Sequence, residues 1–566
     1  MKKNVYKAIL STISFVFLCN MSITSIYPLV ILSVLLILFT MNDVKNSKYA
    51  NTCACIFGIF ALLSLFQVGK YEDILDAHNI YISITKMIFI YLGTYYFVNV
   101  IVSLFFSFLD KINVKKKNNF SSNKILIISF VTLVVLYFPV WLMEYPSNIS
   151  PDTINQINQI VNNIFTNHHP FAHTLWLKLL MSFGSDINTR IGVAALLQMF
   201  LNAAVFSFIN YQIYKKTNNT IISILLLVFY GLFSFNAFMS ITLIKDVTHA
   251  MITCLLIVLL INYFDCIEKR NKTLLLIVIS IFSLMFCLFR SNGYYAFVIL
   301  IIVSIVYSMK RKEYGLLISF AISFVVATII KGPIYYLLGI SSPSFVESLS
   351  IPIQQISLVI RNGKTLTTYE TEMIGKIVDI SKISDSYDVF LSDPIKNLIN
   401  NYGNVSYLSA NRLEYLKIWL EIGVKYPIEY IRGWVNQVST FFAPTYYGTS
   451  IFWSVWENDL GIVASPMITA EISTVLHNLA YTQHNIPLFG CLHYPSVYTW
   501  VLIVMLFYSI KNKNYENMLL ISILLGIFIT LLISCPYNIC FRYYYAVVCS
   551  TPIIVIYGLL GKNQNE

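Results

Sequence analysis

Charged residues are scarce in this chain. Only 11% of its 566 residues are Asp, Glu, Lys or Arg, against roughly 25% in soluble globular proteins. This scarcity excludes a soluble enzyme, a disordered protein and a nucleic-acid-binding domain. Hydrophobic residues make up 57% of the chain, and the mean hydropathy is +0.70. Because only helices and closed barrels can span a bilayer, and long apolar runs favour helices, we predict an all-α polytopic membrane protein.

The cysteines, internal repeats and low-complexity segments that define other protein classes are few or missing. The ten cysteines show no paired zinc-type spacing, and seven of them lie in or beside apolar segments. The CPYNIC segment brings Cys535 and Cys540 close in sequence. It fits a disulfide or two thiols at a helix end, and both alternatives stay open.

Fourteen apolar segments recur along the chain, each close to the ~20 residues that cross a bilayer. They lie near residues 6–23, 26–41, 51–68, 83–108, 125–143, 191–213, 219–237, 242–263, 273–289, 294–309, 314–331, 497–510, 517–534 and 543–560. The first has the basic start of a secretory signal but no small-residue cleavage pattern. We therefore expect an uncleaved helix and about 14 transmembrane helices in all.

The distribution of Lys and Arg predicts the orientation. With the N-terminus in the cytoplasm, the basic clusters of the short loops all fall on the cytoplasmic side, as positively charged loops usually do. These clusters include Lys2/Lys3/Lys7, Lys115/Lys116/Lys117, Lys215/Lys216, Lys269/Arg270/Lys272, Lys310/Arg311/Lys312, Lys511/Lys513 and Lys562. The net charge of +11 is thus an orientation signal. It predicts cytoplasmic termini and needs no polyanionic partner.

This topology divides the chain into four regions. Residues 1–124 carry the first four helices, and residues 125–331 carry a transmembrane module whose first exterior loop spans 144–190. Residues 332–496 form a large exterior segment that we expect to fold as a mainly helical domain, and residues 497–566 carry the last helices. Most of the polar sequence is outside, so we expect function to face the exterior.

The first exterior loop predicts two amphipathic helices in the membrane interface. Ser150 is a helix-capping residue, Pro151 fits a first turn, and Asp152 then lies near a helix start. Helical spacing separates an apolar stripe from a polar face, which we expect to point toward water. The stripe is Ile154, Ile157, Val161 and Ile164, and the polar face is Asp152, Gln156, Gln159 and Asn163. A second helix is expected after Pro170.

Asp152 is the most informative ionisable residue of that loop. Free amides and the dipole of a helix start favour an ionised carboxylate, which suits a general base or a cation ligand and not a protonated acid. A purely stabilising cap is the alternative. His168 and His169 are likewise either ligands or ordinary loop residues.

Four sets of sequence segments resemble those of a known protein family. ISPDTINQ with NHHPFAHT, IPIQQISLVI, YPIEYIRGWVNQ with FFAPTYYG, and FRYYYAVVCSTP are similar to a largely uncharacterised bacterial multi-pass membrane protein family assigned to the GT-C fold. GT-C proteins are polyprenol-dependent membrane glycosyltransferases. The resemblance covers residues 125–560, so the first four helices look like an addition to the common module. It implies a bacterial plasma membrane location.

The resemblance also implies roles for individual residues. Asp152 matches the catalytic base of the first loop, and Asp246 and Glu144 are candidates for a second acidic or metal-binding position. Whether a divalent cation such as Mg²⁺ or Mn²⁺ takes part stays open. Basic residues predicted at exterior helix ends suit a lipid-linked phosphate: Arg542, Arg290 and Lys245. The candidates for substrate contacts are Gln156, His168, His169, Gln354 and Gln355.

The implied partners are a polyprenyl-phosphate-linked sugar, an exterior glycan or glycolipid acceptor, and membrane lipid. Two other functions share this layout. A polymerase or ligase of lipid-linked oligosaccharides would depend more on the exterior arginines than on Asp152. A lipid-linked sugar flippase would need no catalytic base, but the chain lacks the inverted repeats common in transporters.

Overall fold

The computed structural model describes residues 2–18, 26–41, 47–70, 80–116, 120–443 and 454–561. Within these ranges every regular element is helical, and strand pairing is limited to isolated bridges. The prediction of an all-α chain is therefore confirmed for the described residues. Lys117, Lys562 and the PTYYG part of the quoted motifs lie outside them.

The helices are numbered in chain order. The first half contains α1 (Lys2–Leu18), α2 (Tyr27–Met41), α3 (Lys48–Ser64), α4 (Ile80–Lys111), α5 (Ser122–Met143), α6 (Pro151–Asn162), α7 (Phe171–Leu180), α8 (Ile187–Thr217), α9 (Thr220–Leu232), α10 (Ser234–Ile241), α11 (Lys245–Phe264), α12 (Lys269–Phe289), α13 (Ser291–Arg311), α14 (Gly315–Ile329) and α15 (Tyr335–Leu337). The second half contains α16 (Ser350–Arg361), α17 (Thr368–Ile377), α18 (Ile383–Ser386), α19 (Asp393–Tyr402), α20 (Val405–Ala410), α21 (Arg412–Lys425), α22 (Pro427–Val438), α23 (Ala470–Thr482), α24 (Pro495–Lys511), α25 (Tyr515–Ser534) and α26 (Tyr545–Leu560). A 3₁₀ turn, Phe541–Tyr544, leads into α26.

Nine helical segments of the described residues are long and apolar enough to cross a membrane. They are α4, α5, α8, α11, α12, α13, α14 with its extension to Leu337, α25, and α26 with the turn before it. The pair α9 and α10 is bent by 59° and would make a tenth span. Helices α1, α2, α3 and α24 are apolar but shorter. The length and the apolar character of these helices therefore indicate a membrane protein.

The described helices divide between two compact units. The first unit contains Met1–Ile112, Ser344–Tyr446 and Leu531–Ile539. In it, α16 packs on α22, where a Cβ on Gly433 would lie 3.2 Å from the Cα of Gln355. The N–H of Val68 donates a 2.9 Å hydrogen bond to Asn436, and the rings of Phe60 and Phe442 stack. The first four helices therefore share a unit with residues 344–446.

The second unit contains Asn113–Pro343, Tyr447–Thr530 and Cys540–Glu566. Segment 332–496, which we expected to be one domain, is thus divided between the two units. Helix α11 is the centre of the second unit, since it packs against α8, α12 and α26 and is buried along most of its length. The starts of α11 and of the turn before α26 lie at one end of this bundle. The charged residues described below lie at that same end.

The start of α6 follows the expected pattern. Ser150 has extended backbone angles, its hydroxyl accepts the N–H of Thr153, and Pro151 occupies the first turn. The helix ends at Asn163, whose φ of 54° is the left-handed conformation that asparagine tolerates. Helix α7 begins at Phe171, directly after Pro170. Both helices predicted within residues 144–190 are therefore confirmed.

The predicted orientation of α6 is wrong for Gln156 and Gln159. Both were expected to point toward water, but they are buried within the protein, as is Ile157 of the apolar stripe. At the end of the helix, Val161 and Ile164 of the stripe and Asn163 of the polar face are all exposed. Burial of these residues therefore follows their position along α6, because the periodicity does not tell which residues the rest of the protein covers.

Candidate active site

Two predicted site residues from distant segments contact Asp152. Lys245, the first residue of α11, donates from Nζ to Asp152 Oδ2 across 2.8 Å. Arg542, in the turn before α26, places Nη1 3.4 Å from the same oxygen. A helix start supplies the carboxylate, and two further helix starts supply the cations. The sequence places none of these residues within 90 positions of Asp152, so folding creates this cluster.

A second ion pair adjoins the first. Asp246 follows Lys245 in α11, and its Oδ1 lies 2.9 Å from Nη2 of Arg290, at the end of α12. Arg290 also donates from Nη1 to the carbonyl oxygen of Tyr543 across 2.8 Å. The guanidinium groups of Arg290 and Arg542 lie 5.4 and 5.3 Å from the centre of the Tyr543 ring. Tyr543 thus contacts both arginines and joins the two pairs.

The two carboxylates differ in access. The side chain of Asp152 is 25% exposed and that of Lys245 15%, whereas those of Arg542, Arg290 and Asp246 are 9%, 6% and 0% exposed. Asp152 therefore lies at the opening of the cluster and Asp246 at its closed end. The cluster holds three cations and two carboxylates, so it favours an anion. Asp246, a candidate for the second acidic or metal-binding position, is enclosed and contacts Arg290.

The ionisation of Asp152 follows from its neighbours. Burial alone would raise the pKa of its carboxyl, but the charges of Lys245 and Arg542 outweigh burial and hold that pKa well below its usual range. Asp152 is consequently ionised at neutral pH, as predicted from its helix position. The same charges make it a weak base while both cations contact it.

His169 is a partner of Lys245. The Lys245 ammonium donates to Nδ1 of His169 across 3.0 Å, so Nδ1 is unprotonated and accepts. Burial and the adjacent Lys245 charge lower the pKa of His169 well below its usual value, which keeps the ring neutral. His168 lies beside it but is exposed. The structure therefore brings His169 into the cluster and leaves His168 at the surface.

Gln156 joins the two helices of the loop. Its Nε2 donates to the hydroxyl of Thr174 across 2.8 Å, and its Oε1 lies 2.9 Å from Nδ1 of His173. Burial, with a further contribution from Lys245, lowers the pKa of His173 to about 3, so a neutral ring donates this bond. Gln156, predicted to contact substrate, is enclosed and holds α7 against α6.

We predict that Gln156→Leu destabilises the protein by about 1–3 kcal/mol, because it leaves buried polar groups on His173 and Thr174 without partners. The check is the temperature at which the detergent-solubilised protein loses its monodisperse size-exclusion peak. Asn158→Leu, an exposed change on the same helix, is the control and should leave that temperature nearly unchanged. Equal midpoints for both variants would contradict the bonding role of Gln156.

Glu144 makes contacts of a different kind. Its Oε1 accepts from Nε2 of His477 across 2.6 Å, and its Oε2 accepts the backbone N–H of Ser454 across 3.1 Å. These bonds connect the end of α5 to α23 within the second unit. Glu144, a candidate for the second acidic position, thus binds a histidine and a backbone amide. It supplies no carboxylate oxygen to the contacts of Asp152 described above.

Gln354 and Gln355 belong to the first unit and are both buried. Gln354 donates to the carbonyl oxygens of Asp388 and Leu391, and Gln355 donates to the carbonyl oxygen of Tyr430. Because their amides bind the backbone of neighbouring segments inside the unit, neither side chain reaches a substrate in this conformation. The prediction of substrate contacts for them finds no support in this arrangement.

The carboxylates of the cluster do not suit a divalent cation. In the described part of the chain, no group of three or more His, Cys, Asp and Glu side chains is arranged to hold a metal ion. Asp152 and Asp246 each contact Lys or Arg, whose positive charges repel Mg²⁺ or Mn²⁺. The donor set therefore fits a phosphate better than a metal.

Three further contributors are connected to the site by contacts that the local sequence does not specify. Tyr543 follows Arg542 directly, but its contact with Arg290 depends on packing between distant segments. His173 lies in α7, whereas His169 lies in the loop before that helix, so helical spacing does not connect them. His477 lies 333 positions after Glu144, and no local pattern connects them. Cys535 and Cys540 are thiols, which resolves the alternative left open for CPYNIC.

Comparison with known proteins gives one match. Residues 160–566 match a family described as "Family of unknown function (DUF6020)". The match contains Lys245, Asp246, Arg290 and Arg542 but begins after Asp152. Neither the curated proteins nor the solved structures contain a match to this chain. Because the matched residues make up more than half of its length, the chain belongs to the DUF6020 family of unknown function.

Proposed function

We propose that this protein is a membrane glycosyltransferase of the GT-C type that transfers a sugar from a polyprenyl-phosphate donor to an exterior glycan or glycolipid. One observation carries the proposal: a partly exposed, ionised carboxylate contacts two cations at helix starts, in a cluster with more positive than negative charges. A catalytic base beside an anion site is the arrangement that transfer from a phosphate donor requires.

In the proposed reaction, Lys245 and Arg542 bind the donor phosphate. Asp152 accepts the proton of the acceptor hydroxyl while that oxygen forms a bond to the anomeric carbon on the face opposite the phosphate. The bond between the anomeric carbon and the phosphate oxygen breaks, and polyprenyl phosphate leaves with the electron pair. Inversion results. The proton then passes from Asp152 to water, which restores the carboxylate.

The phosphate also changes Asp152. Lys245 and Arg542 contact Asp152 Oδ2 when no donor is bound, and a phosphate between them would draw both cations away from the carboxylate. The pKa of Asp152 then rises toward its usual range, so its basicity is restored when the donor is present. The guanidinium of Arg290 contacts Asp246 through Nη2 and the carbonyl oxygen of Tyr543 through Nη1. We therefore assign Arg290 to positioning Arg542 and not to direct phosphate contact.

The proposal includes a full topology of fourteen crossings. The nine spans, the bent pair α9 and α10, and the four shorter apolar helices together match the fourteen apolar segments of the sequence. With basic loops in the cytoplasm, the start of α11 and the end of α12 face the exterior of a bacterial plasma membrane. The cluster would then face the side where polyprenyl-linked sugars and envelope acceptors meet.

The direct test uses the full chain in proteoliposomes with a radiolabelled polyprenyl-phosphate sugar and an envelope glycan fraction. Transfer of single labelled sugars, with no transfer from nucleotide sugars, is the expected result. A ladder of products would instead indicate a polymerase or ligase. Movement of the labelled lipid across the bilayer without transfer would indicate a flippase. Either result would overturn the proposed reaction.

We predict that Lys245→Met moves the acid limb of the pH profile of kcat/KM for transfer to higher pH, because kcat/KM reports the pKa of Asp152 in the donor-free protein, where Lys245 contacts it. The pKa of Asp152 is depressed by Lys245 first and Arg542 second, so loss of one cation raises it, and the base becomes protonated at a higher pH. The rate should be measured from pH 4 to 7 beside the unsubstituted protein. Lys178→Met, on α7, is the matched control, and an unmoved acid limb in Lys245→Met would refute the coupling.

A further inference from the structure

A cavity lies at the opposite end of α11 from Lys245, within the second unit. Its volume is about 420 Å³, in the range of small-ligand pockets. The residues that define its chemistry are Lys115, Lys215, Lys216, Asp265, Asn514 and Tyr557. Since α11 has 20 residues with a rise of about 1.5 Å each, roughly 30 Å separate this cavity from the Asp152 cluster. The two sites are therefore distinct.

The cavity carries a positive charge. Three lysines line it against one carboxylate, and the ammonium of Lys216 is already paired with Asp265. Helices α8, α11 and α26 end here, and their C-terminal partial charges of roughly −0.5 each offset part of the excess. The N-terminus of α25 contributes a partial charge of the opposite sign. A net positive potential remains, so neutralising the helix ends does not account for all three lysines.

Asn514 adds a hydrogen-bond donor that has no partner. The residue is buried, its Oδ1 accepts the N–H of Asn517 at the start of α25, and its Nδ2 has no hydrogen-bond partner among the described residues. A buried amide without a partner costs free energy unless a ligand or water binds it. Asn514 lines the cavity, so an acceptor oxygen placed in the cavity would satisfy this donor.

We propose that this cavity binds a phosphate group, with the lysines supplying charge and Asn514 Nδ2 donating a hydrogen bond. Phosphate oxygens are strong acceptors, and basic pockets between transmembrane helices on the cytoplasmic side bind the head groups of anionic lipids. By the charge pattern of the sequence, this end of α11 faces the cytoplasm. The phosphate would belong to the head group of an anionic lipid or to a soluble phosphate ester.

The test is native mass spectrometry of the full chain in detergent, with phosphatidylglycerol, phosphatidylcholine or glycerol phosphate added. Lys115→Gln/Lys215→Gln/Lys216→Gln should weaken phosphatidylglycerol binding about 100-fold, since each basic residue near a lipid surface contributes about fivefold. The matched control removes three lysines outside the cavity, Lys269, Lys310 and Lys312. Retention of phosphatidylglycerol alone identifies a lipid ligand, and retention of glycerol phosphate identifies a soluble one.

Two single variants separate ligand binding from folding. Asp265→Asn frees Lys216 and should tighten binding about fivefold, a gain that loss of structure cannot produce. Asn514→Asp keeps the oxygen that caps α25 but replaces the donor by a negative charge, so binding should fall at unchanged thermal stability. The proposal is overturned if neither phosphate compound binds, if the triple variant and its control bind alike, or if Asp265→Asn binds more weakly.

Discussion

Asp152→Asn should lower the rate of sugar transfer by about 10²–10⁴-fold, the usual contribution of a positioned general base. The substitution keeps the shape of the side chain and its place at the start of α6, but the neutral amide cannot take a proton from the acceptor hydroxyl. Lys245 and Arg542 stay beside the site and lose a competing anion. Donor binding should therefore be retained or become tighter while turnover collapses.

The measurement is transfer from the polyprenyl-phosphate sugar at saturating donor, together with donor binding, at equal amounts of folded protein. Asp186→Asn is the matched control, because it makes the same change in the same exterior loop. Asp186 is exposed and caps α8 through the N–H groups of Asn188 and Thr189, and asparagine caps a helix equally well. Wild-type turnover by Asp152→Asn would show that Asp152 is not the base.

Much of this site could be predicted from local sequence. The SPD segment specifies the start of α6 by capping and proline geometry, and the same geometry explains why Asp152 is ionised. Lys245, Arg290 and Arg542 each adjoin the end of an apolar segment, where a charged residue is costly without a partner. This free-energy cost predicts that all three residues have partners, and their contacts with Asp152, Asp246 and Tyr543 agree with that prediction.

Other features depended on tertiary packing that no local pattern contains. Helical spacing places Gln156 on a polar face of α6, but only the position of α7 decides that Gln156 is covered. Gln354 lies in an exterior segment by the charge pattern, yet it is enclosed by the backbone of residues 388–391. Likewise, the adjacent residues Lys245 and Asp246 contact different partners, Asp152 and Arg290, which their proximity in sequence does not specify.

Arg290→Met should destabilise the protein by about 3–5 kcal/mol, the usual result of removing one partner from a buried ion pair. The side chain of Asp246 is fully enclosed, and Nη2 of Arg290 is the cation 2.9 Å from its Oδ1. Without that guanidinium, the carboxylate of Asp246 remains in a low-dielectric region. Either the carboxylate takes up a proton or recruits water, or the protein unfolds. The backbone at Arg290 is extended, with φ −150°, so methionine introduces no backbone strain.

The matched variant for this prediction is Asp246→Asn/Arg290→Met, which removes both charges. Because most of the loss comes from the unpaired carboxylate, the double variant should recover much of the thermal stability that Arg290→Met loses. The check is the midpoint of heat-induced loss of the monodisperse size-exclusion peak for the single and double variants. A double variant as unstable as the sum of its single variants would show that the two side chains act independently.

The same pair of variants separates folding from positioning. Arg290 donates to the carbonyl oxygen of Tyr543, and Tyr543 is the neighbour of Arg542, so Arg290 sets where the donor-binding guanidinium lies. The stability-restored double variant lacks that bond. It should therefore bind the polyprenyl-phosphate donor more weakly, with a raised KM and a smaller change in kcat, because Asp152 stays in place. An unchanged KM in a stable double variant would confine Arg290 to neutralising Asp246 and remove it from the donor site.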